Sequence, residues 1–138
     1  DVALTPHVTA PLYDQAVPGE QDFLLSGIYN LGFLALAFNE RTAAFLDWWS
    51  RRLQKLCLHE VWRGLFVDQR WMDFAPAFLE RVAILREPRF NVAYWNLSHR
   101  ALQRDGERLL VNGRPLGFFP AVNGKASEYN RPGSAAPG

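Results

Sequence analysis

Asp68 and Gln69 stand side by side between the apolar runs of LFVDQRWM (65–72), and Asn30 lies within YNLG (29–32). These residue types suit a polyhydroxylated substrate. A carboxylate accepts hydrogen bonds from hydroxyl groups and favours positive charge developing at an anomeric carbon, and a carboxamide donates and accepts at once. Each residue also has a plainer reading. Asp68 at a helix start is a cap, worth about 1 kcal/mol, and Gln69 is then a surface residue. Asn30 is a satisfied buried amide, or part of a bulge made by Gly32. Trp71, Tyr94 and Trp95 offer apolar faces to a sugar ring, or simply make core.

The elements that must position these residues follow from the pattern of apolar and turn-forming residues. VALT (2–5) predicts a short buried strand that Pro6 ends, and a loop follows to residue 22, where Asp22 caps a single helical turn. GIYNLGFLALAF (27–38) is so continuously apolar that it predicts a central strand covered on both faces. Asn39 is the expected N-cap of a long helix over 40–58. Thr42, Phe45, Leu46, Trp49, Leu53, Leu56 and Cys57 share one face of it at helical spacing, and Asp47 and Arg51 form an exposed i, i+4 pair. A second, short helix begins at Asp68 and breaks at Pro76. VAIL (82–85) predicts another strand, and FNVAYWNL (90–97) reads as extended chain. Asp105-Gly106 and Asn112-Gly113 are type I′ turn pairs that predict a three-stranded meander. Residues beyond Asn123 have the composition of a disordered terminus.

Composition excludes several function classes. The 138 residues suffice for one domain, and 49% hydrophobic residues with five Trp imply a packed core. Fifteen Lys and Arg nearly cancel fourteen Asp and Glu, and the arginines are scattered, so no basic patch for nucleic acid is expected. The lone Cys57 fits a reducing compartment, and the longest apolar run falls short of the about 20 residues that a membrane helix needs. The expected location is the cytoplasm, including the inner face of the membrane. His7 follows the first strand and either lines a cleft or bonds to backbone. His59 and His99 have no acid or cysteine at ligand spacing, so no metal site is expected from these residues.

The ordered segments TPHVTAP (5–11), SGIYNLGFLAL (26–36), FLDWW (45–49), GLFVDQRWMD (64–73), NVAYWNL (91–97) and NGRPLGFF (112–119) resemble the C-terminal half of a bacterial glycosyltransferase family with the GT-A fold. The resemblance implies an α/β chain: a partial GT-A, Rossmann-like mixed sheet with one long amphipathic helix and a C-terminal β-meander. Residues 1–119 would form the sugar-binding half of that domain and 120–138 a disordered tail. It implies a nucleotide-sugar donor and a saccharide or lipid-linked acceptor, with peripheral membrane association of the parent protein. Asn30 and Gly32, as an Asn-x-Gly strand, and Asp68 with Gln69 would line the donor-sugar pocket, Asp68 holding hydroxyls and Gln69 near the anomeric carbon. His7, Asn91 and Asn96 would face the acceptor.

Two departures from the family pattern shape the expectation. An Asp-x-Asp motif that holds a divalent ion, Mn²⁺ or Mg²⁺, is absent and would belong just upstream of Asp1; Pro120 stands where relatives carry a histidine. The chain thus reads as cut from a longer transferase, and self-association through an exposed sheet edge is expected. A non-catalytic remnant or interaction module of the same fold is the alternative. A hydrolase pairing Asp68 with Glu60 or Asp73 is a third, requiring carboxyl groups roughly 5 to 9.5 Å apart.

Overall fold

Residues 1–13 and 15–120 are described by the computed structural model. Val2–Pro6 form strand β1, buried except at Ala3. Helix α1 (Glu20–Ser26) starts after Gly19, and the Asp22 carboxylate accepts from the Gly19 N–H at 2.7 Å. Asp22 is therefore the third residue of a two-turn helix and not its cap. Strand β2 (Tyr29–Leu36) and helix α2 (Glu40–Leu56) follow. The two-residue strands β3 (His59–Glu60) and β4 (Leu65–Phe66) pair with each other. A 3₁₀ segment over Gln69–Phe74 runs into helix α3 (Ala75–Phe78), whose second residue is Pro76. Pro76 thus opens a helical turn, where its missing N–H costs nothing, and does not break one. After β5 (Val82–Ile84) the chain makes a 3₁₀ segment over Tyr94–His99 and then strands β6 (Leu102–Asp105), β7 (Arg108–Val111) and β8 (Arg114–Pro115).

The main sheet is mixed, in the order β2-β1-β5, with β1 antiparallel to β2 and parallel to β5. The short strand β1 is therefore central, and among the described residues the long apolar β2 pairs with β1 alone. The expectation of a central strand over 27–38 fails for an identifiable reason. One face of β2 is covered by the core, through Leu34 and Leu36, and the other in part, by the Phe118 ring stacked on Phe33 at 5.1 Å, while Ala35 beside it is exposed. Covered faces do not require strands on both edges.

Val2, Leu4, Phe45, Met72, Ala75 and Leu79 form the core between this sheet and α2. Asn39 caps α2 as its sequence requires: its Oδ1 accepts from the Thr42 N–H at 3.1 Å, and Thr42 Oγ1 accepts from the Asn39 N–H at 3.2 Å. Thr42 and Phe45 are buried and Trp49, Leu53 and Leu56 half-buried, whereas Leu46 and Cys57 are exposed. The packed face is narrower than its apolar spacing suggests, and α2 ends before Cys57. Asp47 and Arg51 pair on the exposed side at 2.8 Å. Among the described residues no helix is long and apolar enough to cross a membrane.

The C-terminal meander forms as expected, with a shift in one turn. Asn112 and Gly113 both have positive φ between paired Val111 and Arg114, as a type I′ turn demands. In the first hairpin Asp105 pairs with Arg108, so the loop is Gly106-Glu107, with positive φ at Gly106 only. Residues 90–97 are not extended throughout. Asn91 takes φ 52°, and Asn96 Oδ1 accepts from the Ala93 N–H at 3.0 Å, which closes the turn that starts the 3₁₀ segment.

Candidate functional site

The pairing of β1 with β2 slips in the middle. Leu4 faces Leu34, but Thr5 faces Asn30, which leaves Leu31, Gly32 and Phe33 looped out of the ladder. Backbone groups that lose ladder partners must find others, and the two candidate carboxamides provide them. Asn30 Oδ1 accepts from the Gly32 N–H at 2.7 Å. Gln69 Oε1 accepts from the Leu31 N–H at 3.3 Å, and its Nε2 donates to the Ser26 carbonyl at 3.0 Å. Both side chains are buried, at 8% and 9% exposure. Asn30 is thus both the satisfied amide and the bulge residue that its setting suggested. Gln69 is no surface residue; it ties the 3₁₀ segment to the bulge.

A Cβ on Gly32 would overlap the Pro120 ring and come within 2.5 Å of Asn30 Oδ1. Gly32→Ala is therefore expected to lower stability by about 1 to 3 kcal/mol through overpacking, measured by urea denaturation. Pro120 itself is buried against this strand, while the rest of the expected tail, 121–138, lies outside the described residues.

His7 joins this bulge to the segment 90–100. Its Nδ1 lies 3.2 Å from the Ile28 carbonyl, which can only accept, so Nδ1 carries the proton. Nε2 is then an acceptor, filled by Asn30 Nδ2 at 3.3 Å. The ring stacks on Phe23 at 4.8 Å and meets Trp95 at 5.5 Å. Burial pushes its pKa down to about 4, against which bonds to the Ile28 and Gly27 carbonyls act in the opposite direction. The imidazole is neutral at pH 7.

Asn91 and Asn96, each 1% exposed, complete the knot. Asn91 Nδ2 donates to the Pro6 carbonyl and Asn96 Nδ2 to the carbonyls of His7 and Asn91, all at 2.9 Å. Arg100, which the sequence did not single out, reaches the carbonyls of Asn91 (3.4 Å) and Phe90 (3.3 Å), and burial pushes its pKa down to about 10. The Asn91 left-handed conformation is one that asparagine tolerates.

Asp68 differs from its neighbours. It is half-buried, and among the described residues its carboxylate has no hydrogen bond or ion pair. It does not cap the 3₁₀ segment: it has helical φ/ψ itself (−81°, −29°), which carries its side chain away from the following N–H groups. Its carbonyl accepts from Trp49 Nε1 at 3.3 Å. The preceding Val67 has φ 40°, a rare setting for a β-branched residue and one that costs of order 1 to 3 kcal/mol. Its strain sits directly beside the one uncommitted carboxylate of the group. Nothing in the local sequence of Val67 signals it.

The aromatic candidates divide. Trp71 packs into a ring cluster with Trp48 (6.0 Å), and its Nε1 donates to the Leu56 carbonyl at 3.4 Å. Trp95 lies against His7 and is half-buried; Tyr94 is 52% exposed, its ring 5.0 Å from Trp95. The acids considered as hydrolytic partners of Asp68 are engaged elsewhere: Glu60 with Arg63, and Asp73 with the Ile28 N–H (2.9 Å) and Arg70.

Among the described residues no three His, Cys, Asp or Glu side chains gather as metal ligands. The divalent ion that the resemblance implies therefore has no ligand set among them. Two shallow concavities, of about 270 and 320 Å³, lie at the start of β1 and beside it, lined by Asn39, Glu40, Arg41 and Arg81 and by residues of 1–3 and 35–37. Neither includes Asn30, Asp68 or Gln69.

The chain is similar to protein YfnF of Bacillus subtilis, described as uncharacterized, with 30% identity over 96 residues that make up 69% of this chain. It spans about a third (32%) of that relative's length. No family model and no solved structure matches. The residues of the knot are separated by up to 89 positions in sequence, as Asn96 is from His7.

Proposed function

We propose that this chain is the sugar-binding part of a glycosyltransferase that moves a sugar from a nucleotide-sugar to a saccharide or lipid-linked acceptor. One observation carries the proposal: TPH, YNLG, DQ and NVAYWN, four of the segments that bear the family resemblance, meet around the β2 bulge. Four buried carboxamides and a neutral imidazole hold them there. Apart from Asn91 Oδ1, which is buried without a partner, the oxygen and nitrogen atoms of these side chains bond to backbone or to one another, which suits a scaffold. The open carboxylate of Asp68, carried on that scaffold and next to strained Val67, is the group left for substrate hydroxyls. Gln69 then acts as a positioning residue, holding Asp68 against β2. Metal and diphosphate would be handled by residues outside this chain.

Transfer assays offering UDP-glucose, UDP-galactose and GDP-mannose in turn, with Mn²⁺, test this reading. Asp68→Asn is expected to lower the rate about 10²-fold, the effect of losing one preorganised polar contact in the transition state. Full activity of that variant would overturn the assignment. Absence of transfer together with absence of nucleotide-sugar binding by calorimetry would leave the non-catalytic remnant in its place.

A further inference from the structure

A second surface feature is built by α2 and the segment from Trp71 to Phe78. Trp48 on α2 meets Phe78 (4.8 Å), Phe74 (5.8 Å) and Trp71 (6.0 Å), and Phe74 meets Phe78 at 5.3 Å, so four rings form one continuous shelf. It is not closed over: Phe74 is 47% and Phe78 51% exposed. Arg52 and Lys55, four and seven residues beyond Trp48, lie on the same side of α2 and are exposed. Among the described residues neither has an ion-pair partner. The nearby acids are already matched, Asp47 by Arg51 (2.8 Å), Glu80 by Arg41 (3.2 Å) and Asp73 by Arg70.

We propose that this shelf docks the protein on an anionic phospholipid surface, with Phe74 and Phe78 entering the headgroup region and Arg52 and Lys55 meeting lipid phosphates. Aromatic rings beside unmatched cations are the side chains that an anionic bilayer interface favours. A second copy of the chain fits less well. In a two-fold contact through this shelf the same unmatched cations would come from both sides and repel.

Co-sedimentation of the protein with vesicles of phosphatidylcholine, alone or mixed with phosphatidylglycerol, tests the proposal. Binding is expected to the mixed vesicles only, with a blue shift of tryptophan emission. Arg52→Gln with Lys55→Gln should weaken it roughly thirty-fold, and Phe74→Ser with Phe78→Ser roughly ten-fold or more. The charge variant alters only exposed side chains, so it decides the matter if the phenylalanine variant does not fold. Equal binding to neutral vesicles, no binding, or unchanged binding by the charge variant would overturn the proposal. So would a dimer in sedimentation equilibrium that the phenylalanine variant dissolves.

Discussion

Replacing Asn96 by alanine is expected to destabilise the fold by about 3 to 5 kcal/mol, because each buried polar group left without a partner costs roughly 1 to 3 kcal/mol. The amide makes three hydrogen bonds in a fully buried setting, accepting from the Ala93 N–H and donating to the carbonyls of His7 and Asn91. Truncation orphans the first two groups outright. The Asn91 carbonyl keeps only the longer bond from Arg100, at 3.4 Å. Asn96→Asp should fare little better, since a carboxylate oxygen would face two carbonyl oxygens where the amide donated to both. Natural domains are stable by only about 5 to 15 kcal/mol, so such a loss is a large part of the total. Urea denaturation at pH 7 measures it; a midpoint unchanged in both variants would show that the segment 90–100 is not tied to β1 in this way.

The second large effect is in pH. His7 is neutral in the folded protein, its pKa held at about 4 against 6.5 in the unfolded chain. A base whose folded pKa is depressed leaves the unfolded state binding more protons as pH falls, so stability declines on acidification. The contribution is full above pH 6.5 and is lost progressively down to about pH 4, and at 1.36 kcal/mol per unit it amounts to about 3 kcal/mol between pH 7 and pH 4. His7→Gln retains an acceptor and a donor but no titrating group. The stability difference between pH 7 and pH 4 should therefore shrink by about 3 kcal/mol in that variant, with the carboxylates of the protein contributing equally to both chains. An equal pH dependence in the two would mean that the ring is protonated while folded.

Local chemistry was readable along the chain, and contacts between distant segments were not. Asn39 as a cap, the strand at VAIL and the turn at Asn112-Gly113 each depend on a few neighbouring residues, and each forms where its residues call for it. The edge position of β2 is not legible in its apolarity, which reports whether faces are covered, and Phe118, 85 residues beyond Phe33, does part of the covering. Asp68 fails as a cap because its own backbone is already helical, and the positive φ of Val67 before it is one that no propensity of valine foretells. The candidate residues Asn30, Gln69 and His7 could be named from type and setting, and Asn91 and Asn96 through the family resemblance. That they bond to one another and to the backbone of β1 and β2 could not, because residue types at such separations carry no sign of which will meet.

The division between a buried scaffold and one open carboxylate is tested most directly by a crystal structure of the protein with a bound nucleotide-sugar and Mn²⁺. The expected result is an Asp68 carboxylate oxygen within about 2.5 to 3.0 Å of a sugar hydroxyl, with the Asn30, His7 and Asn96 bonds intact. A sugar seated elsewhere, with Asp68 still facing solvent, would contradict it.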